Sequence, residues 1–319
     1  MPAVVTAPAK TAKADSGILD LLADWRIVAL LGALCDGPLT RAELHGHAAD
    51  LSDSTFDRKV KRLKDRGLIA GRQQSTRPYR CNSYALTRVG VDLLEVADVV
   101  EGWEMGACTS TRRHAKGALA KLIADPINGE ILWALSEDEL TRTLLERRLP
   151  GRARATLERR TSTLQEVGLI ERRPAADHRE ARYALTVHGR RAGAAVVAAA
   201  RWHWRWTPQH VPLLASDVPG LICLIAPLVH TSDEVEGTCL LHVEPMPAAP
   251  ARPHVHLSVA GRRLTPLPLG STRPLSARVH AATAACWEAL WRGDPQRIVV
   301  EGDRALAQAV LAGLARALR

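Results

Sequence analysis

The feature that most constrains this 319-residue chain is an internal repeat. Sliding the sequence by 101 positions lays residues 24–72 on 125–173 without a gap, and 15 of those 49 positions are identical. A repeat of that length is a duplicated domain, not a solenoid unit. The matches include LTR at 39–41 and 140–142, Leu44 with Leu145, Thr55 with Thr156, Arg58 with Arg159, and GLI at 67–69 and 168–170. Beyond them the offset falls to 99, where YALT at 84–87 meets YALT at 183–186. The stretch between the blocks is thus two residues shorter in the second copy, as happens at a loop tip.

Both copies carry the same local pattern. A first helix is marked by Leu30, Leu31 and Leu34, and in the second copy by Ile131, Leu132 and Leu135. A short second helix follows in LTRAEL or LTRTLL, with Thr40 or Thr141 as its N-cap. The third helix starts near SDSTF, with Ser52 or Asp53 as N-cap, and buries Phe56, Val60 and Leu63, matched by Leu157 and Leu164. Thr55, Arg58, Lys59 and Arg62 are left facing outward, as are Thr156, Arg159, Arg160 and Thr163, with Ser54 and Arg154 beside them at the helix starts. GLI then enters a strand, an arginine-rich polar tip follows, and YALT returns as a second strand. Three helices and a hairpin make a winged helix, whose third helix enters the major groove while the hairpin lies on the phosphates. Arg72, Arg77, Arg80, Arg173, Arg179 and Arg182 are the hairpin candidates for phosphate or minor-groove contact.

The charge distribution agrees. Of the net +9, residues 1–206 hold 33 Lys and Arg against 25 Asp and Glu, whereas residues 207–319 hold 10 against 9. A double-stranded DNA partner is therefore expected for the first two thirds. Basic exposed helices are commonly only solvated, and winged helices also join proteins to one another. The DNA reading rests on the coincidence that both copies are basic on the same helix and at the same hairpin tip.

The order DWRIVALLGALCDGPLTRAELHGHAADLSDSTFDRKVKRLKDRGLI, YALTRVG and a helix closing at Trp103 resembles the HxlR branch of the MarR-like winged-helix regulators. GPLTRAEL, RLKDRGLI and YALT carry the resemblance over residues 18–108, and the second copy matches more weakly over 119–206. The resemblance implies a cytoplasmic DNA-binding transcription regulator, expected to repress, whose two copies act as an intramolecular pseudo-dimer on two half-sites about one helical turn apart. Members that sense oxidants do so through a cysteine before the first helix; none precedes Trp25, so that activity is not carried over.

Past Pro208 the composition changes. LLASDVPGLICLIAPLVH reads as one or two buried helices, GTCLLHVE to LSARVH as a strand meander, RIVVEG as a strand, and Asp303 to Leu318 as a helix that Asp303 caps. The segment ACWEALWRGDPQRIVVEGDRALAQAVL resembles the sterol-carrier-protein-2-like domain, which implies a container for a small hydrophobic or aromatic ligand. Trp287 and Trp291, one helical turn apart, are candidates to line it, although the same spacing is the usual buried stripe of a helix. His242, His254 and His256 alternate in the strands without a Cys or carboxylate at fixed spacing, a pattern of polar-face residues more than of a metal site.

The fold class that follows is α+β: two tandem winged helix-turn-helix domains at 17–108 and 109–206, then an α+β sterol-carrier-like domain at 207–319 with a mostly antiparallel sheet. Residues 1–16 read as a disordered tail without a signal-peptide core. The longest uncharged run, 218–232, is too short for a bilayer span of about 20 residues. Six cysteines without a CxxC pair argue for reduced thiols and no zinc. The absence of a Gly-rich phosphate loop, HExxH, GxSxG or a carboxylate cluster argues against an enzyme and against a cofactor. A protein that sequesters a hydrophobic compound, or an enzyme acting on DNA, are the alternatives, and either a monomer or a homodimer fits. In RWHWRW at 201–206, Trp202 falls on Trp103 of the first copy, which makes it a packing residue; Trp204 and Trp206 are then expected to touch the third domain or its ligand.

Overall fold

The computed structural model describes residues 18–73, 82–106, 116–174, 180–206, 218–231, 234–244, 254–268, 271–282, 286, 289–290 and 297–318. The chain is α+β. It divides into two compact units, Met1–Ala124 with Trp202–His210, and Asp125–Arg201 with Val211–Arg319.

The first unit runs α1 (Ile18–Leu22), α2 (Trp25–Ala33), β1 (Leu39–Thr40), α3 (Arg41–Gly46), α4 (Asp53–Asp65), β2 (Ile69–Gln73), β3 (Asn82–Leu86), α5 (Arg88–Gly106) and α6 (Ala118–Ala124). Strands order as β1-β3-β2, all antiparallel, with Ile69 opposite Leu86 and Gly71 opposite Tyr84. Thr40 opens α3 with a capping box: its hydroxyl accepts the Glu43 N–H while the Glu43 carboxylate accepts the Thr40 N–H. Hydrogen bonds from the Thr40 N–H and then from its hydroxyl hold the Glu43 carboxyl below the ordinary carboxylate range. Ser52 takes the N-cap position of α4, but its hydroxyl donates to Thr55 Oγ1 at 3.0 Å instead of accepting a backbone N–H. Phe56, Val60 and Leu63 of α4 pack into a core with Ile27, Leu30, Leu31, Leu44 and Leu93. Helix α6 packs on α1, and the Glu104 carboxylate of α5 accepts the N–H groups of Gly117, Leu119 and Ala120 at its start, so α6 sits with the first copy.

The second unit begins with the same succession: α7 (Pro126–Glu137), β4 (Leu140–Thr141), α8 (Arg142–Arg148), α9 (Arg154–Glu166), β5 (Ile170–Arg173), β6 (Arg182–Leu185) and α10 (Val187–Trp206), whose last five residues are counted with the first unit. Its strands order as β4-β6-β5, with Ile170 opposite Leu185, the register of Ile69 and Leu86. Thr141 caps α8 through the Leu144 N–H. Thr161 stands at the position of Val60 and is equally buried, its hydroxyl donating to the Leu157 carbonyl at 2.9 Å.

Two short identities of the repeat now have a cause. In GLI the glycine leaves the third helix with φ +67° at Gly67 and +73° at Gly168, a left-handed turn that side chains with a Cβ resist. Gly67 N–H donates to Lys64 and Leu68 N–H to Leu63, a Schellman closure repeated at Gly168 and Leu169. The threonine of YALT locks the next helix to that turn. Thr87 Oγ1 lies 2.6 Å from the Gly67 carbonyl and accepts the Gly90 N–H; Thr186 Oγ1 lies 2.6 Å from the Gly168 carbonyl and accepts the Gly189 N–H.

The rest of the second unit is α11 (Val218–Ile225), a 3-10 turn at Ala226–Leu228, strands β7 (Gly237–Glu244), β8 (His254–Ala260), β9 (Arg263–Pro266), β10 (Ala277–Ala282) and β11 (Val299–Gly302), and α12 (Arg304–Leu318), which Asp303 caps through the Leu306 N–H. The sheet order is β11-β10-β7-β8-β9. It is mostly antiparallel, but β10 returns beside β7 in parallel, so the strands are not a simple meander. Cys239, Leu241, Val255, Leu257 and Val279 are buried on the face that α11 and α12 cover. Helix α11 also packs on α7, which is why the second copy and the sheet form one unit. At the other end, the Arg201 guanidinium donates to the carbonyls of Leu318 and Ala317 at 2.6 and 2.7 Å, closing the last turn of α12.

Asp125 illustrates how much one residue does at a helix start. Its carboxylate accepts the N–H groups of Ile127 and Asn128 and pairs with Arg160 at 2.8 Å. Asp125→Ala is expected to cost about 2 kcal/mol, the upper end for a lost cap, read as a drop in the urea midpoint with an unchanged m-value.

Candidate nucleic-acid interface

Helices α4 and α9 are held by equivalent ion pairs. Asp24 before α2 pairs with Lys59, and Asp125 before α7 pairs with Arg160. Arg41 of α3 bonds Asp57 and Asp53 of α4, and Arg142 of α8 bonds Glu158 of α9. The hydrogen bonds to Asp57 and then Asp53 raise the Arg41 pKa and lower that of Asp53. Lys59 and Arg160, expected to face outward, are therefore half-buried anchors. At 100° per residue both stand at the edge of the outer face, and the carboxylate that turns them inward is 35 residues earlier.

What remains outward is narrower. Ser54, Arg58, Lys61 and Lys64 are exposed on α4, with Thr55 and Arg62 half-buried. On α9 Arg154, Arg159 and Ser162 are exposed, with Thr156 and Thr163 half-buried. Thr163 turns its hydroxyl back to the Arg159 carbonyl at 3.0 Å. Arg154 lies 3.5 Å from Glu158 and 3.7 Å from Glu146. Lys61 was not among the sequence candidates, although positions 54, 58, 61 and 65 follow helical spacing and would have included it.

In the hairpins, Arg72 lies on β2 opposite Ser83, and its side chain is outside the described residues, as are Arg77, Arg80 and Arg179 altogether. Arg173 on β5 is held by Glu171 and Glu139, whose hydrogen bonds raise its pKa, in that order. Arg182 on β6, opposite Arg173, is exposed.

Of the four expected ligand residues, only the side chain of Trp206 is among those described. Trp206 donates its indole N–H to Asp92 of α5 at 3.1 Å, and Arg205 pairs with the same carboxylate at 3.1 Å. Trp202 donates to the Val89 carbonyl at 3.0 Å. Trp206 is thus a packing residue of the first unit, because Asp92, buried on α5, needs donors. The side chain of Trp204, together with Trp287 and Trp291, lies outside the described residues.

On the other face of the sheet, His242 stands opposite His254 on one side and His280 on the other, with His256 two residues further along β8. The rings of His242 and His280 are 5.4 Å apart. Burial, and then the neighbouring His254, lowers the His256 pKa. Among the described residues no group of three His, Cys, Asp or Glu is arranged to hold a metal ion. Burial pushes the thiols of Cys239 and Cys286 up to about 12, which leaves neither ionised near neutrality. Among the described residues no helix is long and apolar enough to cross a membrane.

Residues 122–211 match the family model of the HxlR-like helix-turn-helix. This HxlR-like segment spans α7 to α10 and includes the α8–α9 pair with exposed Arg159. It is the copy in which the sequence resemblance was the weaker; the match does not extend to α2–α5. No curated protein matches the chain.

Proposed function

We propose that the protein is a DNA-binding transcription regulator in which both copies of the repeat are winged helices acting as an intramolecular pseudo-dimer. The observation that carries this reading is that the HxlR-like segment and the first copy hold the same helix by the same two ion pairs and expose an arginine at the same position, Arg159 and Arg58. The three-part reading of the chain, with copies at 17–108 and 109–206 and a third domain from 207, belongs to this proposal. So do repression and the capture of a small hydrophobic ligand by a sterol-carrier-like third domain, which rests on the sequence resemblance and on a mostly antiparallel sheet covered by two helices.

The test is fluorescence anisotropy with a duplex from the promoter of its own gene. Arg58→Ala and Arg159→Ala are each expected to weaken binding, by about tenfold if the arginine reads a base. Binding unchanged in both variants would overturn the readout.

A further inference from the structure

We infer that the two copies share DNA binding unequally: the first copy supplies most of the electrostatic grip, although the family match falls on the second. This inference rests on the DNA-binding reading above and concerns how the contact is divided.

The difference lies in where carboxylates stand. Aligned by the repeat, Glu139, Glu146 and Glu171 of the second copy replace Pro38, His45 and Ala70 of the first. Each of the three meets a basic side chain that is a candidate for DNA. Glu139 and Glu171 hold Arg173, and Glu146 and Glu158, both also paired with Arg142, lie 3.7 and 3.5 Å from Arg154. With Arg160 drawn to Asp125, Arg159 is the one arginine of α9 without a carboxylate partner among the described residues. On α4, by contrast, Arg58, Lys61 and Lys64 are exposed with no carboxylate partner among the described residues. Position 162, opposite Lys61, is serine, and position 165, opposite Lys64, is glutamine. The acidic residues of α4 do not reverse this balance. Asp53 and Asp57 are both taken by Arg41, and Asp65 is matched by Glu166 at the same position of α9.

Unpaired cations release counterions when they meet phosphates, and each contact adds about −0.9 to the slope of log affinity against log salt. A cation already held by a carboxylate brings its neutralising charge along and adds little.

The experiment measures duplex affinity of the full chain from low to physiological salt. In Arg58→Ala/Lys61→Ala/Lys64→Ala the slope is expected to become shallower by about 2 to 3, against about 1 or less for Arg159→Ala. Glu139→Ala/Glu171→Ala, which removes both carboxylates that hold Arg173, is expected to tighten binding several-fold. A wild-type chain that binds no duplex at any salt sinks the DNA-binding reading itself. Binding with equal slope changes from the two copies, or with no gain in Glu139→Ala/Glu171→Ala, overturns only the unequal division. Thermal melts that match wild type establish that each variant is folded.

Discussion

Replacing Gly189 with alanine is expected to unfold the HxlR-like segment, at a cost of about 3 kcal/mol or more, the high end for overpacking. A Cβ at Gly189 would lie 2.0 Å from the Leu169 carbonyl oxygen. That oxygen cannot retreat, because it accepts the N–H of Thr186 and lies 3.1 Å from its hydroxyl. Gly90 is in the same position in the first copy, 2.3 Å from the Leu68 carbonyl oxygen, and Gly90→Ala should damage that copy in the same way. Gly102, on the same helix as Gly90, is the control: nothing lies within 4 Å of its would-be Cβ. Gly102→Ala should be neutral or stabilise by up to about 1 kcal/mol, since alanine favours helix over glycine. Melting curves decide between these outcomes. A Gly189→Ala midpoint within a degree of wild type would mean that the helix can slide away from the turn.

Removing the Glu137 carboxylate is the second large effect. It ends α7 with its side chain 4% exposed, pairs with Arg148 of α8, and accepts a long hydrogen bond from the Cys223 thiol of α11 at 3.7 Å. Glu137→Ala leaves a guanidinium, itself only 17% exposed, without its partner. Breaking a buried pair from one side costs about 3–5 kcal/mol, and the residual exposure of Arg148 puts the expectation near 3. Glu137→Gln, which keeps the shape and an acceptor, should cost less than half of that. Chemical denaturation that ranks the two variants equally would show that the charge pair contributes nothing beyond packing.

Much of each copy was readable because its signals are local. The caps Thr40 and Thr141 and the stripe Phe56, Val60 and Leu63 depend on spacings within one or two helical turns. What escaped depends on partners far along the chain. Lys59 and Arg160 look outward until Asp24 and Asp125 are brought to them, although the acid at that position is itself one of the repeat's identities. Gly90 and Gly189 stand three residues after the threonine of YALT in both copies, a signal that was present and unused. His280 joins the other three histidines only because β10 returns parallel to β7, and alternation along a strand says nothing of which neighbour it will take. The hydrogen bond from Trp206 to Asp92 joins residues 114 positions apart, which local spacing could not indicate.

The glycine and threonine lock has a consequence for how such a chain changes over generations. The residues that hold α4 and α9 in place, Gly67, Thr87 and Gly90 or Gly168, Thr186 and Gly189, are not the residues those helices expose. Lys61 can therefore become Ser162, or Ala70 become Glu171, without disturbing the scaffold beneath. In a symmetric assembly of identical subunits every inherited substitution appears twice. Here it appears once, so the two outer faces can drift apart in a single lineage while the frame that presents them stays the same.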